Sequence, residues 1–222
     1  MNYTEHLRKK TILDTKIADL IEACSRTSPK PPHLPILIAC ECSQIEALTW
    51  RAYGWEAYSC DIQPCHGPRP EWHFQGDARS LLQPGRWGLI IAHPPCTYLT
   101  AAGGRYVHEP GRADLREEAA RLFYSFYDFR DCPMAIENPR PLHCAGLPPY
   151  DQVICPTMFG SIWTKRTCLW LYDLPPLLPI TAKTITPKSW TYHTRGGQKR
   201  SQGFFELADA YVQQWNPYIL DA

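Results

Sequence analysis

A chain of 222 residues with 44% apolar side chains is long enough and apolar enough to bury one core, which excludes a disordered protein. Its formal net charge of +1 neither favours nor excludes a nucleic-acid partner, because a steering field depends on how charges are distributed. The N-terminus is charged and polar through Lys16, and no later stretch approaches the roughly 20 apolar residues of a membrane span, so the expectation is a soluble, cytoplasmic protein without a membrane partner. In that setting its ten cysteines read as reduced thiols, mostly buried.

Residues 4 to 24 place Leu7, Leu13, Ile17, Leu20, Ile21 and Cys24 at helical spacing, and Ser25 to Pro35 is a proline-rich break. Residues 1–33 therefore read as a helical appendage and linker, and residues 34–222 as the main domain. There the pattern becomes strand, helix, strand: Ile36 to Cys40 extended, Ser43 to Tyr53 helical with Ser43 as N-cap, and Ala57 to Cys60 extended and closed by Asp61. A short segment ends at Gly76-Asp77, and Trp87 to Ala92 is a strand that stops at Pro94-Pro95. Arg112 to Phe129 is a helix with Leu115, Ala119, Leu122, Phe123 and Phe126 on one face. Pro133 to Glu137 and Thr167 to Tyr172 are further strands, separated by a loop-rich stretch up to Val153-Ile154, and a last helix runs from Phe204 to Trp215. Alternating strands and helices predict an α/β fold, a mostly parallel Rossmann-like sheet with helices on both faces.

Open α/β sheets place their chemistry at the carboxyl ends of their strands. Two such ends carry reactive side chains: Leu89-Ile90-Ile91-Ala92-His93-Pro94-Pro95-Cys96 delivers a thiol, and Ala135-Ile136-Glu137-Asn138-Pro139 a carboxylate. His93 stands three residues before the thiol, where it either tunes Cys96 or packs at the strand end. Asp61 lies about twenty residues past the first strand, the spacing at which Rossmann-type folds bind a ribose. The first turn, Ala39-Cys40-Glu41-Cys42-Ser43-Gln44, lacks glycines and offers a pyrophosphate no close backbone approach, which favours a nucleoside with a short charged tail, such as S-adenosylmethionine. Asp77 is placed to contact an adenine edge; the alternative is that Asp61 and Asp77 are strand-end caps. Cys132, His143, Cys144 and Cys155 lack a Cys-x-x-Cys knuckle, so no metal is expected.

From Leu174 to Phe205 there is no acidic residue, while Lys183, Lys188, Arg195, Lys199 and Arg200 are interleaved with Trp190, Tyr192 and His193. Residues 174–203 thus form a candidate phosphate-facing segment, or else a solvated loop. Gly103-Gly104-Arg105 is either the hinge of a loop that brings a cation toward phosphate or an ordinary turn.

Pro95-Cys96, Glu137-Asn138 and the upstream acids Asp61 and Asp77 resemble the ordered motifs of the DNA (cytosine-5) methyltransferases. Ala92 to Thr97, Ile136 to Pro139 and Lys165 to Leu171 resemble most closely the short members found in phages and prophages, with the likeness running from about residue 34 to 215. The resemblance implies S-adenosylmethionine as cofactor, bound by Cys40, Glu41, Cys42, Ser43, Asp61, Ile62, Asp77, Ala78 and Pro94. It implies DNA as partner, with the target cytosine flipped from a duplex and held in part by Arg105 and the basic segment. If the chain is phage-encoded, it works in the bacterial host cell. Cys96 would add to cytosine C6, Glu137 would contact N3 and the exocyclic amine, and Arg166 would help hold the base. The chain has too few residues between Arg166 and the last helix for a large target-recognition domain, which points to short or relaxed specificity.

Three other readings use the same residues. His93-Pro94-Pro95-Cys96 also resembles the Asp-Pro-Pro-Tyr motif of amino-group methyltransferases acting on adenine N6 or cytosine N4, though Cys96 cannot stack on a base. The substrate could be a cytosine in RNA or in a free nucleotide. From another class, the chain could be a non-catalytic nucleic-acid-binding protein that kept the fold and lost the cofactor.

Overall fold

The computed structural model describes residues 3–28, 33–100, 106–180, 186, 188–189 and 203–220. Strand β1 (Ile36–Ala39) is buried along its whole length, as a strand covered on both faces must be. It pairs in parallel with β2 (Ala57–Asp61) on one side and β4 (Leu89–Ala92) on the other. Parallel pairing continues outward from β2 to β3 (His73–Gln75) and from β4 to β5 (Met134–Asn138). Beyond β5 the sheet reverses: β8 (Thr167–Tyr172) runs antiparallel to β5, and β6 (Gln152–Ile154) closes the edge antiparallel to β8. The seven strands thus follow the order β3-β2-β1-β4-β5-β8-β6. That is the doubly wound order with one reversed strand inserted before its last member. A second small sheet pairs β7 (Trp163–Thr164) with β9 (Lys188–Ser189).

Period-two alternation sends Ile36, Ile38 and Ile91 to one face of the sheet and Leu37 and Ile90 to the other. The first face is covered by α2 (Ile45–Ala52) and α4 (Phe205–Leu220) through Trp50, Tyr211, Val212 and Trp215. The second is covered by α3 (Arg112–Tyr127), which buries Phe123 and Phe126. Leu115, expected on that buried face, stands 43% exposed one turn before the apolar contact begins.

Helix α1 (Tyr3–Arg26) docks on this body. Thr27 donates to the Ala52 carbonyl at 3.0 Å, and Lys16 pairs with Glu206 at 2.6 Å. Helix α4 runs past the expected stop at Trp215, with Pro217 inside its last turn at the cost of one bond to the Gln213 carbonyl. The expected N-cap Ser43 is replaced by Gln44, whose backbone is left-handed (φ 64°). The Ser43 hydroxyl turns instead to the Glu41 carboxylate. Among the described residues no helix is long and apolar enough to cross a membrane.

Candidate active site at the carboxyl edge of the sheet

The chain leaves β1 toward β2 on one side and returns later to β4 on the other, so the crevice between the ends of β1 and β4 is the switch point of the sheet. The turn out of β1 takes left-handed backbone at Cys40 (φ 60°) and Gln44 without a glycine at either position. A Glu41 carboxyl oxygen accepts from the Gln44 N–H at 2.9 Å, so the N–H at the entry to α2 is already taken by a side chain of its own chain. A phosphate finds that place taken. Burial pushes the Glu41 carboxyl up to about 7, against the Ser43 hydrogen bond that favours its charge and with the help of nearby Glu46.

Residues 62–72 fold over this turn. The Gln44 side chain accepts from the Arg69 N–H at 3.0 Å and donates to its carbonyl at 2.7 Å, while His66 N–H donates to the Cys42 carbonyl at 2.8 Å. Asp61 closes β2 and accepts from Gln63 N–H at 2.8 Å; Ile62 beside it is 69% exposed. Asp77 caps the turn at 78–81, accepting from Arg79 N–H at 2.9 Å and from the Arg79 guanidinium on both oxygens. Those bonds hold its pKa below the usual range. Ala78 is buried behind it. Burial first, then the charges of Asp61, Cys60 and Asp77, push the Cys40 thiol up.

A small cleft of about 30 Å³, open to solvent, lies across the ends of β1, β4, β5 and β8. Its polar wall holds Glu41, Glu46, His93, Glu137, Lys165 and Thr167, and its apolar wall includes Phe204 and Leu207. His93, the first residue after β4, places Nε2 3.0 Å from Glu46 Oε2 and Nδ1 3.2 Å from Glu137 Oε2. Burial disfavours the charged ring, but the two carboxylates outweigh it and raise His93 to about 10. Burial likewise disfavours an ionised Glu137, but Lys165, His93 and the Thr167 hydroxyl outweigh it and lower Glu137 to about 2. The site therefore holds an imidazolium between two carboxylates at neutral pH.

Cys96 sits half-buried in the turn after β4, where its carbonyl accepts from Leu99 and Thr100 N–H and from the Thr100 hydroxyl. Asn138 donates to the Pro94 carbonyl at 2.7 Å and ties this turn to the end of β5. Cys96 is not among the residues that line the pocket. Burial and the Glu137 charge raise the thiol pKa, and Lys165 opposes them.

The expected helper Arg166 is exposed, whereas its neighbours Lys165 and Thr167 line the pocket. Side chains alternate as the chain enters β8, so the cation delivered to Glu137 is Lys165. Sequence reasoning also missed Glu46 and Tyr211. Glu46 breaks the apolar start of a buried helix, which was a legible signal of a buried acid in need of a partner. Tyr211 on α4 is fully buried, and its hydroxyl has no hydrogen-bond partner among the described residues. Of the expected phosphate contacts, Lys188 is exposed on β9, while Arg105, Lys183, Arg195, Lys199 and Arg200 lie outside the described residues, as do Gly103 and Gly104. Among the described residues no group of three or more His, Cys, Asp or Glu is arranged to hold a metal ion. Comparison with protein-family models and with curated proteins finds no match.

Proposed function

We propose that the chain is a methyltransferase of the Rossmann-like class that uses S-adenosylmethionine. More narrowly, it methylates C5 of cytosine in DNA through a covalent bond from Cys96 to C6. The observation that carries this reading is the delivery of Cys96 and Glu137 by neighbouring parallel strands, with the Glu137 and Lys165 charges both acting on the thiol.

The β1 turn supports the cofactor. With the N–H at the entry to α2 taken by Glu41, it has little room for a pyrophosphate, and Asp61 and Asp77 give the edge an acidic character suited to a sulfonium and an ammonium. The turn Cys40–Ser43 and Pro94 would hold the methionine end. Asp61 and the exposed Ile62 would hold the nucleoside, with Ala78 packed behind. Asp77 enters as a capping residue engaged by Arg79 and acts on the cofactor only through its charge. When bound, S-adenosylmethionine supplies an electrophilic methyl group.

The remaining work belongs to this chain. Cytosine C5 is a weak nucleophile until a thiolate adds to C6 and pushes the ring electrons onto C5. Cys96 rests as a thiol, so its proton must pass to solvent at the open site before the S–C6 bond forms, and Lys165 is the cation that favours the thiolate. Glu137, ionised and held by Thr167 and His93, accepts from the exocyclic amine and so orients the ring for attack at C6. Loss of the C5 proton then breaks the S–C6 bond and restores the thiolate. The amino-group alternative needs a free acceptor at position 93, and both nitrogens of His93 are engaged.

DNA from cells expressing the protein, digested to nucleosides, should contain 5-methylcytosine by mass spectrometry. Duplex DNA carrying 5-fluorocytosine should trap the wild type covalently, and Cys96→Ser should neither trap nor transfer. N4-methylcytosine or N6-methyladenine in place of 5-methylcytosine, or transfer that survives Cys96→Ser, would overturn the reading.

A further inference from the structure

We propose that Glu46 and His93 are positioning residues that fix Glu137 for catalysis, an inference that rests on the cytosine-5 reading of the site. Each nitrogen of the His93 ring faces a carboxylate oxygen, at 3.0 Å on Glu46 and 3.2 Å on Glu137. A neutral imidazole has one donor and one acceptor nitrogen, so it would set a lone pair against one of these oxygens; only the doubly protonated ring donates to both. Glu137 cannot relieve the conflict by taking the proton, because Lys165 and the Thr167 hydroxyl already favour its charged form.

Glu46 is the part of this arrangement that the reaction does not otherwise use. It reaches the pocket from the first turn of α2, and only 3% of its side chain is exposed. A buried carboxylate without a partner is strongly unfavourable, and His93 is the partner that Glu46 meets. The consequence falls on Glu137. Thr167 donates to Oε1 and His93 to Oε2, which fixes the carboxylate about its bond to the chain and leaves a lone pair on each oxygen for a base in the pocket. An ordinary strand-end glutamate would rotate, and positioning errors of this kind are costly to rate.

The groups that face His93 are Glu46 on α2, Glu41 in the turn before it, Glu137 on β5 and Lys165 ahead of β8, with Cys40 at the end of β1 and Tyr211 on α4 nearby. Glu46→Gln keeps a hydrogen-bond acceptor for Nε2 and removes the negative charge. His93 should then lose its proton at lower pH, and the alkaline limb of kcat should move to lower pH with it. His93→Asn, which can donate to only one of the carboxylates, should lower kcat roughly a hundredfold.

The decisive measurement is the proton count on the His93 ring, by nitrogen NMR of protein labelled at histidine, beside the pH profile of methyl transfer for wild type and Glu46→Gln. The wild-type ring should carry two protons at about pH 8, where an ordinary histidine is neutral. A neutral wild-type ring in an active enzyme would overturn the clamp and leave the cytosine-5 reading intact. A doubly protonated ring in a chain that transfers no methyl group would overturn that reading and leave the clamp standing. A fall in the ring pKa of Glu46→Gln with an unmoved kcat profile would overturn the positioning role.

Discussion

Glu41 spends a carboxyl oxygen on the N–H at the entry to α2, and the cost is visible in its own titration. Its folded pKa is raised from 4.5 to about 7, so the folded state prefers the protonated form. A raised folded pKa means that this preference is fully present below the ordinary value of 4.5 and is lost as pH rises through 7. Glu41→Gln is neutral throughout. Relative to wild type, the variant should gain stability between pH 4.5 and pH 7, and on the order of 3 kcal/mol in total if the shift is realised in full. Thermal melts of both proteins across that range test it, and a gap that stays constant would show that Glu41 ionises freely. At this scale the sequence was legible where a reactive type sat at a strand end, as with Cys96, Glu137 and Asp61. It was silent where the partner came from elsewhere. Glu46 is 47 positions from His93, and nothing local to either says that they meet. The resemblance points to Arg166, while side-chain alternation into β8 puts its neighbour Lys165 in the pocket wall.

The segment 62–72 shows how an element can be held by one side chain. Gln44 is fully buried with both ends of its amide on the Arg69 backbone, and Gly67 lies against it. A Cβ at Gly67 would fall 2.4 Å from Gln44 Oε1 and 2.7 Å from its Cβ. Because Gln44 is anchored, it has nowhere to retreat, and Gly67→Ala must lift the segment off the turn. The expected loss is about 1–3 kcal/mol of stability in urea unfolding. Affinity for S-adenosylmethionine should weaken alongside, because the same turn would hold it; unchanged affinity would separate the turn from the cofactor. On α4, Trp215 stacks on Tyr211 at 4.6 Å between centroids and is fully buried in the helix's contact with the sheet. Trp215→Ala should cost about 3–5 kcal/mol by the same measurement. The strands were readable as apolar runs ended by polar residues. The reversal of β8 was not, because a strand buried on both faces has the same apolar pattern in either direction.

At the scale of the whole molecule, the alternation of strands and helices was enough to predict a mostly parallel sheet, and the site's place at its carboxyl edge followed from that topology. How DNA would engage that edge is a matter of charge distribution, since a net charge of +1 gives no general attraction. The acid-free stretch from Leu174 to Phe205 concentrates Lys183, Lys188, Arg195, Lys199 and Arg200 in the chain between β8 and α4, and Lys188 is exposed where β9 meets β7. If these cations meet phosphates, binding must release counterions, so affinity for duplex DNA should fall steeply with salt. Each cation removed from the contact should lower the slope of log affinity against log salt by about 1. Lys188→Ala should therefore reduce the slope by about one and Lys199→Ala with Arg200→Ala by about two, with sequence preference unchanged because phosphates carry no base identity. Titrations of a labelled duplex from low to moderate salt measure these slopes directly. A slope that all three substitutions leave untouched would place the DNA on another face of the protein and remove the basic segment from the proposed interface.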